Sequence, residues 1–120
     1  MDKYGLIGHP LVHSFSQNYF NAKFENERIN ARYINFEIPS IDDLAEVLAR
    51  NPELKGLNVT RPYKEKVIPF LDSISPEAKS IGAVNVIRVS RKGSKTTLKG
   101  FNSDVIGFAY KVISNYIRIK

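Results

Sequence analysis

Four short segments hold the side chains that could do chemistry: Gly8-His9-Pro10-Leu11-Val12-His13-Ser14-Phe15-Ser16, Asn58-Val59-Thr60-Arg61-Pro62-Tyr63-Lys64, Gly82-Ala83-Val84-Asn85 and Gly100-Phe101-Asn102-Ser103-Asp104. Ser14 and Ser16 put two hydroxyls at a predicted helix start, where free backbone N–H groups and the helix dipole favour a carboxylate or phosphate. Lys64 and Asp104 could form a donor–acceptor pair across a crevice, with either one positioned to accept a proton from a substrate hydroxyl. Asn85 falls at the entry of an apolar strand, where an unpaired amide is costly, so it needs a dedicated partner. Each has a plainer reading. Ser14 or Ser16 caps a helix, Lys64 is a solvated helix lysine, Asp104 opposes the dipole of a last helix, and Asn85 satisfies a neighbouring turn. His9 and His13 are four apart with Pro10 between them, and no cysteine or third ligand joins them, so no metal is expected.

The hydropathy pattern says what must position these residues. Tyr4–Gly8 reads as a buried strand, 14–28 as a helix with Phe20 and Phe24 on one face, and Ile34–Ile38 as an alternating strand closed by Pro39. Ile41, Leu44, Ala45 and Leu48 form the i, i+3, i+4, i+7 stripe of an amphipathic helix. Leu57–Thr60 is a third strand, Tyr63–Leu71 a short helix after Pro62, and 75–81 a turn or helix. Residues 83–89 and 96–99 make a hairpin about Gly93-Ser94, and a last helix follows Ser103 with apolar residues on more than one face. The order β-α-β-α-β-α-β-β-α predicts a three-layer α/β/α domain with a mixed, mainly parallel sheet. In such sheets the ligand crevice lies outside the carboxyl ends of the strands, where the four segments fall.

Composition bounds the class. At 120 residues, 42% hydrophobic and 25% charged, the chain is one globular domain's worth, with no apolar run near the 18 residues of a membrane span. The N-terminus shows no basic leader before an apolar stretch, and with no cysteine a reducing, cytoplasmic setting is expected. The net charge of +6 is local: residues 1–87 carry 10 basic and 11 acidic side chains, whereas 88–120 carry 8 basic ones and Asp104. No aromatic residue is interleaved with the basic cluster at Arg91, Lys92 and Lys95, so nucleic-acid binding is not expected.

Taken together, the four segments resemble the substrate-binding half of the shikimate dehydrogenase family. The family patterns G-x-P-x-x-H-S-x-S, N-V-T-x-P-[YFH]-K, G-A-V-N and G-x-N-[ST]-D-x-x-G stand here at 8–16, 58–64, 82–85 and 100–107, in order. The resemblance implies that Ser14 and Ser16 hold the shikimate carboxylate and that Thr60, Asn85 and Asp104 hydrogen-bond the ring hydroxyls. It implies that Lys64 is the catalytic lysine, paired with Asp104. The implied reaction is the reversible, NADPH-dependent reduction of 3-dehydroshikimate to shikimate, in the pathway leading to chorismate and aromatic amino acids. Which of Lys64 and Asp104 takes the hydroxyl proton stays open.

Departures from the family pattern shape the expectation for this chain. Family members are about twice as long, and their NADP-binding Rossmann-type domain has no counterpart here: no G-x-G-x-x-G occurs among the seven glycines. Residues 1–104 are therefore expected to be the substrate-binding domain and 105–120 the start of an interdomain helix, through which self-association is plausible. Arg61 stands where the family usually has an apolar residue. A chain of this kind should bind shikimate and turn nothing over alone. The alternatives are a quinate/shikimate dehydrogenase of broader specificity and a stand-alone shikimate-binding module without redox activity.

Overall fold

The computed structural model describes residues 1–11 and 15–103, with Phe15 and Ser16 described by their backbone alone. Its elements are β1 (Asp2–Gly8), α1 (Phe15–Asn26), β2 (Ala31–Glu37), a 3-10 turn (Ile41–Asp43) leading into α2 (Leu44–Arg50), β3 (Leu54–Val59), a 3-10 turn (Ile68–Phe70), β4 (Ser73–Ile74), α3 (Pro76–Ile81), β5 (Val86–Lys92) and β6 (Lys95–Phe101). The strands form one sheet in the order β2-β1-β3-β5-β6-β4. β1 lies parallel to β2 and β3, β5 is antiparallel to β3 and β6, and β4 is parallel to β6. Five strands therefore run one way and β5 alone runs back.

Side-chain alternation divides the core into two layers. Tyr4, Leu6 and Tyr33 face one side and pack on Phe20 and Phe24 of α1, with the Phe20 and Tyr33 rings stacked at 4.6 Å. Ile7, Leu57 and Val59 face the other side, against Leu44 and Val47 of α2 and Ala78 of α3. The expected three-layer, mixed α/β/α architecture is thus present. α1 stops where Arg28 turns left-handed at φ 54: Arg28 N–H bonds the Glu25 carbonyl and Ile29 N–H reaches back to Phe24, a Schellman ending with Ile29 packed on the aromatic cluster. At the end of α2, the Arg91 guanidinium donates to the Leu48 and Asn51 carbonyls, at 3.0 and 3.1 Å.

One expectation fails. Tyr63–Leu71 is no α-helix; it is a series of turns ending in the 3-10 segment. Pro69 has no N–H to return to Glu65, so Ile68, Phe70 and Leu71 close i→i+3 bonds instead. β4, only two residues long, gives no periodic signal in the sequence. The hairpin strands are longer than expected at their far ends, and Asn85 stands one residue before β5 rather than within a strand. The helix expected after Ser103 lies outside the described residues.

β2 is one of the two edge strands, and α1 blocks it. The Asn21 side chain accepts from Tyr33 N–H at 2.8 Å and donates to the Tyr33 carbonyl at 3.0 Å, while Gln17 accepts from Asn35 N–H at 2.9 Å. Backbone groups that could pair with another strand are thereby occupied. Asn21→Leu is expected to cost about 1–2 kcal/mol in urea unfolding and to cause concentration-dependent association in sedimentation. A variant of unchanged stability and mass would contradict this role.

Candidate functional site

Because β5 alone is reversed, the carboxyl ends of β1, β2, β3, β6 and β4 and the amino end of β5 share one rim. The described residues of all four chemically notable segments meet there, Gly82–Asn85 by entering a reversed strand instead of leaving a forward one. β1 and β3 are joined beyond their ladder: Thr60 N–H bonds the Ile7 carbonyl at 3.0 Å and His9 N–H bonds the Arg61 carbonyl at 3.1 Å. The approach is so close that a Cβ on Gly8 would lie 2.4 Å from the Thr60 methyl, which leaves glycine as the residue that fits. Both X-Pro bonds in these turns, His9-Pro10 and Arg61-Pro62, are cis. Glu37, at the end of β2, accepts from Leu11 N–H at 2.6 Å and ties the loop before α1 to the same rim.

The Gly82–Asn85 segment knits the other side. Gly82, left-handed at φ 79, ends α3, whose start is capped by Ser75 accepting from Ala78 N–H. Val84 N–H bonds the Lys64 carbonyl at 2.7 Å, and the Asn85 carbonyl accepts from Val59 N–H at 2.8 Å. Asn85 N–H then bonds the Phe101 carbonyl at 3.0 Å. Beyond that bond its side chain continues the ladder: Oδ1 accepts from Ser103 N–H at 2.6 Å and Nδ2 donates to the Ser103 carbonyl. The partner expected for Asn85 is therefore the backbone two residues past β6, and the amide is nearly buried.

Of the expected site residues, Thr60, Lys64 and Asn85 are brought to one rim. Ser16 stands inside the first turn of α1 rather than capping it, and Ser14 and Asp104 lie outside the described residues. Thr60 and Lys64 are half-buried, and among the described residues neither the hydroxyl nor the ammonium has a side-chain partner. Sequence reasoning did not single out Glu37, which carries no motif signal, or Asn102, whose Nδ2 donates to the Ala83 carbonyl at 3.0 Å although it sits in a quoted motif. Asn58, also in a motif, donates to the Tyr33 hydroxyl at 2.6 Å on the α1 face. A cavity of about 480 Å³ lies elsewhere, between β2 and α2, walled by Glu37, Asp43 and Glu46 with Arg50. Those carboxylates disfavour an anion, and the Arg50 charge is already paired to Glu46 at 2.7 Å. Among the described residues no three His, Cys, Asp or Glu side chains group as a metal site, and no helix is long and apolar enough to cross a membrane.

Comparison with known proteins gives a consistent pattern. A family model described as the shikimate dehydrogenase substrate binding domain matches residues 6–87. Shikimate dehydrogenase (NADP(+)) of Streptococcus thermophilus is 46% identical over 105 residues, which is 86% of this chain and 35% of that protein. Among solved structures, shikimate dehydrogenase 1 of Peptoclostridium difficile superposes with a TM-score of 0.76 at 41% identity, covering 92% of this chain and 40% of that one. The 5-ketofructose reductase of a Gluconobacter strain matches equally well in shape, TM-score 0.76 at 30% identity, over 94% of this chain and 40% of that one. The chain thus spans little more than a third of the curated relative's length.

Tyr63, in the second motif, is buried, and its hydroxyl donates to the Ile38 carbonyl, fastening the turn after β3 to the exit of β2. Burial, with the Asp43 charge adding to it, pushes the phenol above its ordinary value of 10.0. Its stabilising contribution is then complete below pH 10 and is lost as pH rises through the folded-state value, because the unfolded chain gives up the proton first. Tyr63→Phe is expected to cost about 1–2 kcal/mol at pH 8 and to flatten the fall in stability between pH 10 and 11. Urea melts across that range check this; equal slopes for the two proteins would contradict it.

Proposed function

The chain belongs to the shikimate dehydrogenase substrate-binding domain family, and on that premise we propose that it holds shikimate and 3-dehydroshikimate for an NADP-dependent oxidoreductase. The observation that carries this most directly is the convergence of Thr60, Lys64 and Asn85 on one rim through main-chain bonds that involve no ligand. In the proposal, Ser14 and Ser16 hold the ring carboxylate at the start of α1, where backbone N–H groups favour an anion. Thr60, Asn85 and Asp104 orient the ring hydroxyls. Lys64 and Asp104 take up the proton of the reacting hydroxyl in oxidation and return it in reduction. After its two bonds to Ser103, the Asn85 amide keeps one N–H and one lone pair for a ring hydroxyl.

The relatives' names specify NADP, and the described residues do not fit it. The strand-to-helix turn after β1 carries Pro10 instead of a second glycine, and the two left-handed glycines, Gly82 and Gly93, lie at a helix end and a hairpin tip. Among the described residues no pyrophosphate-binding turn is formed, so no step is assigned to a cofactor on them. The proposed setting is the cytoplasm, with the two ring acids as partners and self-association through the segment after Asp104.

A sugar-ketone half-site is the second reading, favoured by the 0.76 TM-score to a 5-ketofructose reductase, whose named substrate carries no carboxylate. A two-dimensional amide NMR titration separates the two. Shikimate is expected to shift Thr60, Lys64 and Asn85, with cyclohexene-1-carboxylate moving only residues near the start of α1 and neutral ketoses moving none. Quinate shifting the same residues with higher affinity would move the specificity to the broader enzyme class. The same chain mixed with NADP and shikimate should produce no NADPH. A dispersed spectrum unmoved by shikimate, or measurable turnover, would overturn the proposal.

A further inference from the structure

The segment leading to Asp104 is held residue by residue. The Gly100 carbonyl accepts from Ser75 N–H at 2.8 Å and the Phe101 carbonyl from Asn85 N–H at 3.0 Å, where the last β5–β6 pair, Val86 with Phe101, ends the regular ladder. The next two residues have no strand opposite them, and side-chain amides take over. Asn102 reaches across to the Ala83 carbonyl at 3.0 Å, and Asn85 reaches back to both backbone groups of Ser103. The two asparagines thus clasp the strands in opposite directions, each from its own strand onto the backbone of the other. Three side-chain bonds fix residues 102 and 103, one step before Asp104.

We propose that Asn102 is a positioning residue for the ring-hydroxyl side of the site, acting through the backbone it fixes beside Ser103, which the Asn85 amide clasps. This inference rests on the shikimate reading above, and it assigns Asn102 no contact with substrate. The physical reason is geometric. A backbone leaving a ladder end is fixed at the last bonded pair and fans out beyond it, so a side chain carried on the next residue is placed only as well as its own backbone is. Asn85 clasps both backbone groups of Ser103, and without a bond from residue 102 the chain between Phe101 and Ser103 would keep a freedom of rotation. The Asn102 bond to Ala83 removes that freedom. An amide suits the task because it donates to a carbonyl; the isosteric carboxylate of aspartate would face that carbonyl with no donor.

The test compares two ligands on the 120-residue chain. Asn102→Asp is expected to weaken shikimate binding about tenfold in an amide NMR titration, while cyclohexene-1-carboxylate, lacking the ring hydroxyls, binds as it does to the parent chain. A purely structural role would move both affinities or neither, so the selective loss identifies positioning. Asn102→Ala, which deletes the donor without adding charge, gives the same split and decides the matter where the aspartate variant loses spectral dispersion. Equal shikimate affinity in a folded variant overturns the role of Asn102 alone. No shikimate binding by the parent chain overturns the functional reading, and the inference with it.

Discussion

β1 fixes the rim because it is hydrogen-bonded on both sides, to β2 along its whole length and to β3 from Lys3 to Ile7. A strand held that way and buried on both faces has one register, since a one-residue slip would exchange the Tyr4 and Leu6 layer for the Ile7 layer. Once β1 is fixed, the ends of β2 and β3 are fixed with it. Thr60 then sits beside Gly8 at a distance that admits no side chain on the glycine. The site's first wall is thus a consequence of strand pairing and core packing together.

The second wall depends on the reversal of β5. A reversed strand starts where its neighbours end, so the turn after α3 delivers Ala83, Val84 and Asn85 to the rim. Each of the three makes a different bond there, to Asn102, Lys64 and Ser103 in turn. Individually such bonds contribute about 0.5–1.5 kcal/mol, so none decides whether the domain folds. Together they decide where polar groups stand, and that is the quantity the proposed shikimate site requires.

Much of this was legible in the sequence. The apolar run of β1, the alternation of β2, the stripe along α2 and the Gly93-Ser94 hairpin are local patterns, and local patterns are what a sequence displays. The rim segments were legible because glycine, proline and asparagine cluster where strands end. The turns between Tyr63 and Leu71 were misread because Pro62 suggested a helix start, whereas Pro69, seven residues later, has no N–H to continue one. Asn85 looked like a ligand awaiting a partner, and its partner is a backbone 18 residues away, a contact no local pattern encodes. Glu37 and Asn102 were invisible for the same reason: their roles exist only once strands far apart in sequence are adjacent.

The domain fold is shared with an enzyme named for a neutral sugar ketone as well as with shikimate dehydrogenases, so shape alone does not select the substrate. What places the polar groups at the rim is the chain's own bonding between separate segments. Amide hydrogen exchange of the free chain tests that most directly. The N–H groups of Thr60, Val84, Asn85 and Ser103 should be protected to the same degree as those of β1, because each donates to an acceptor on a different segment of the rim. Exchange of those four at the rate of exposed loops, with β1 still protected, would show that the rim forms only around its ligand and would contradict the account.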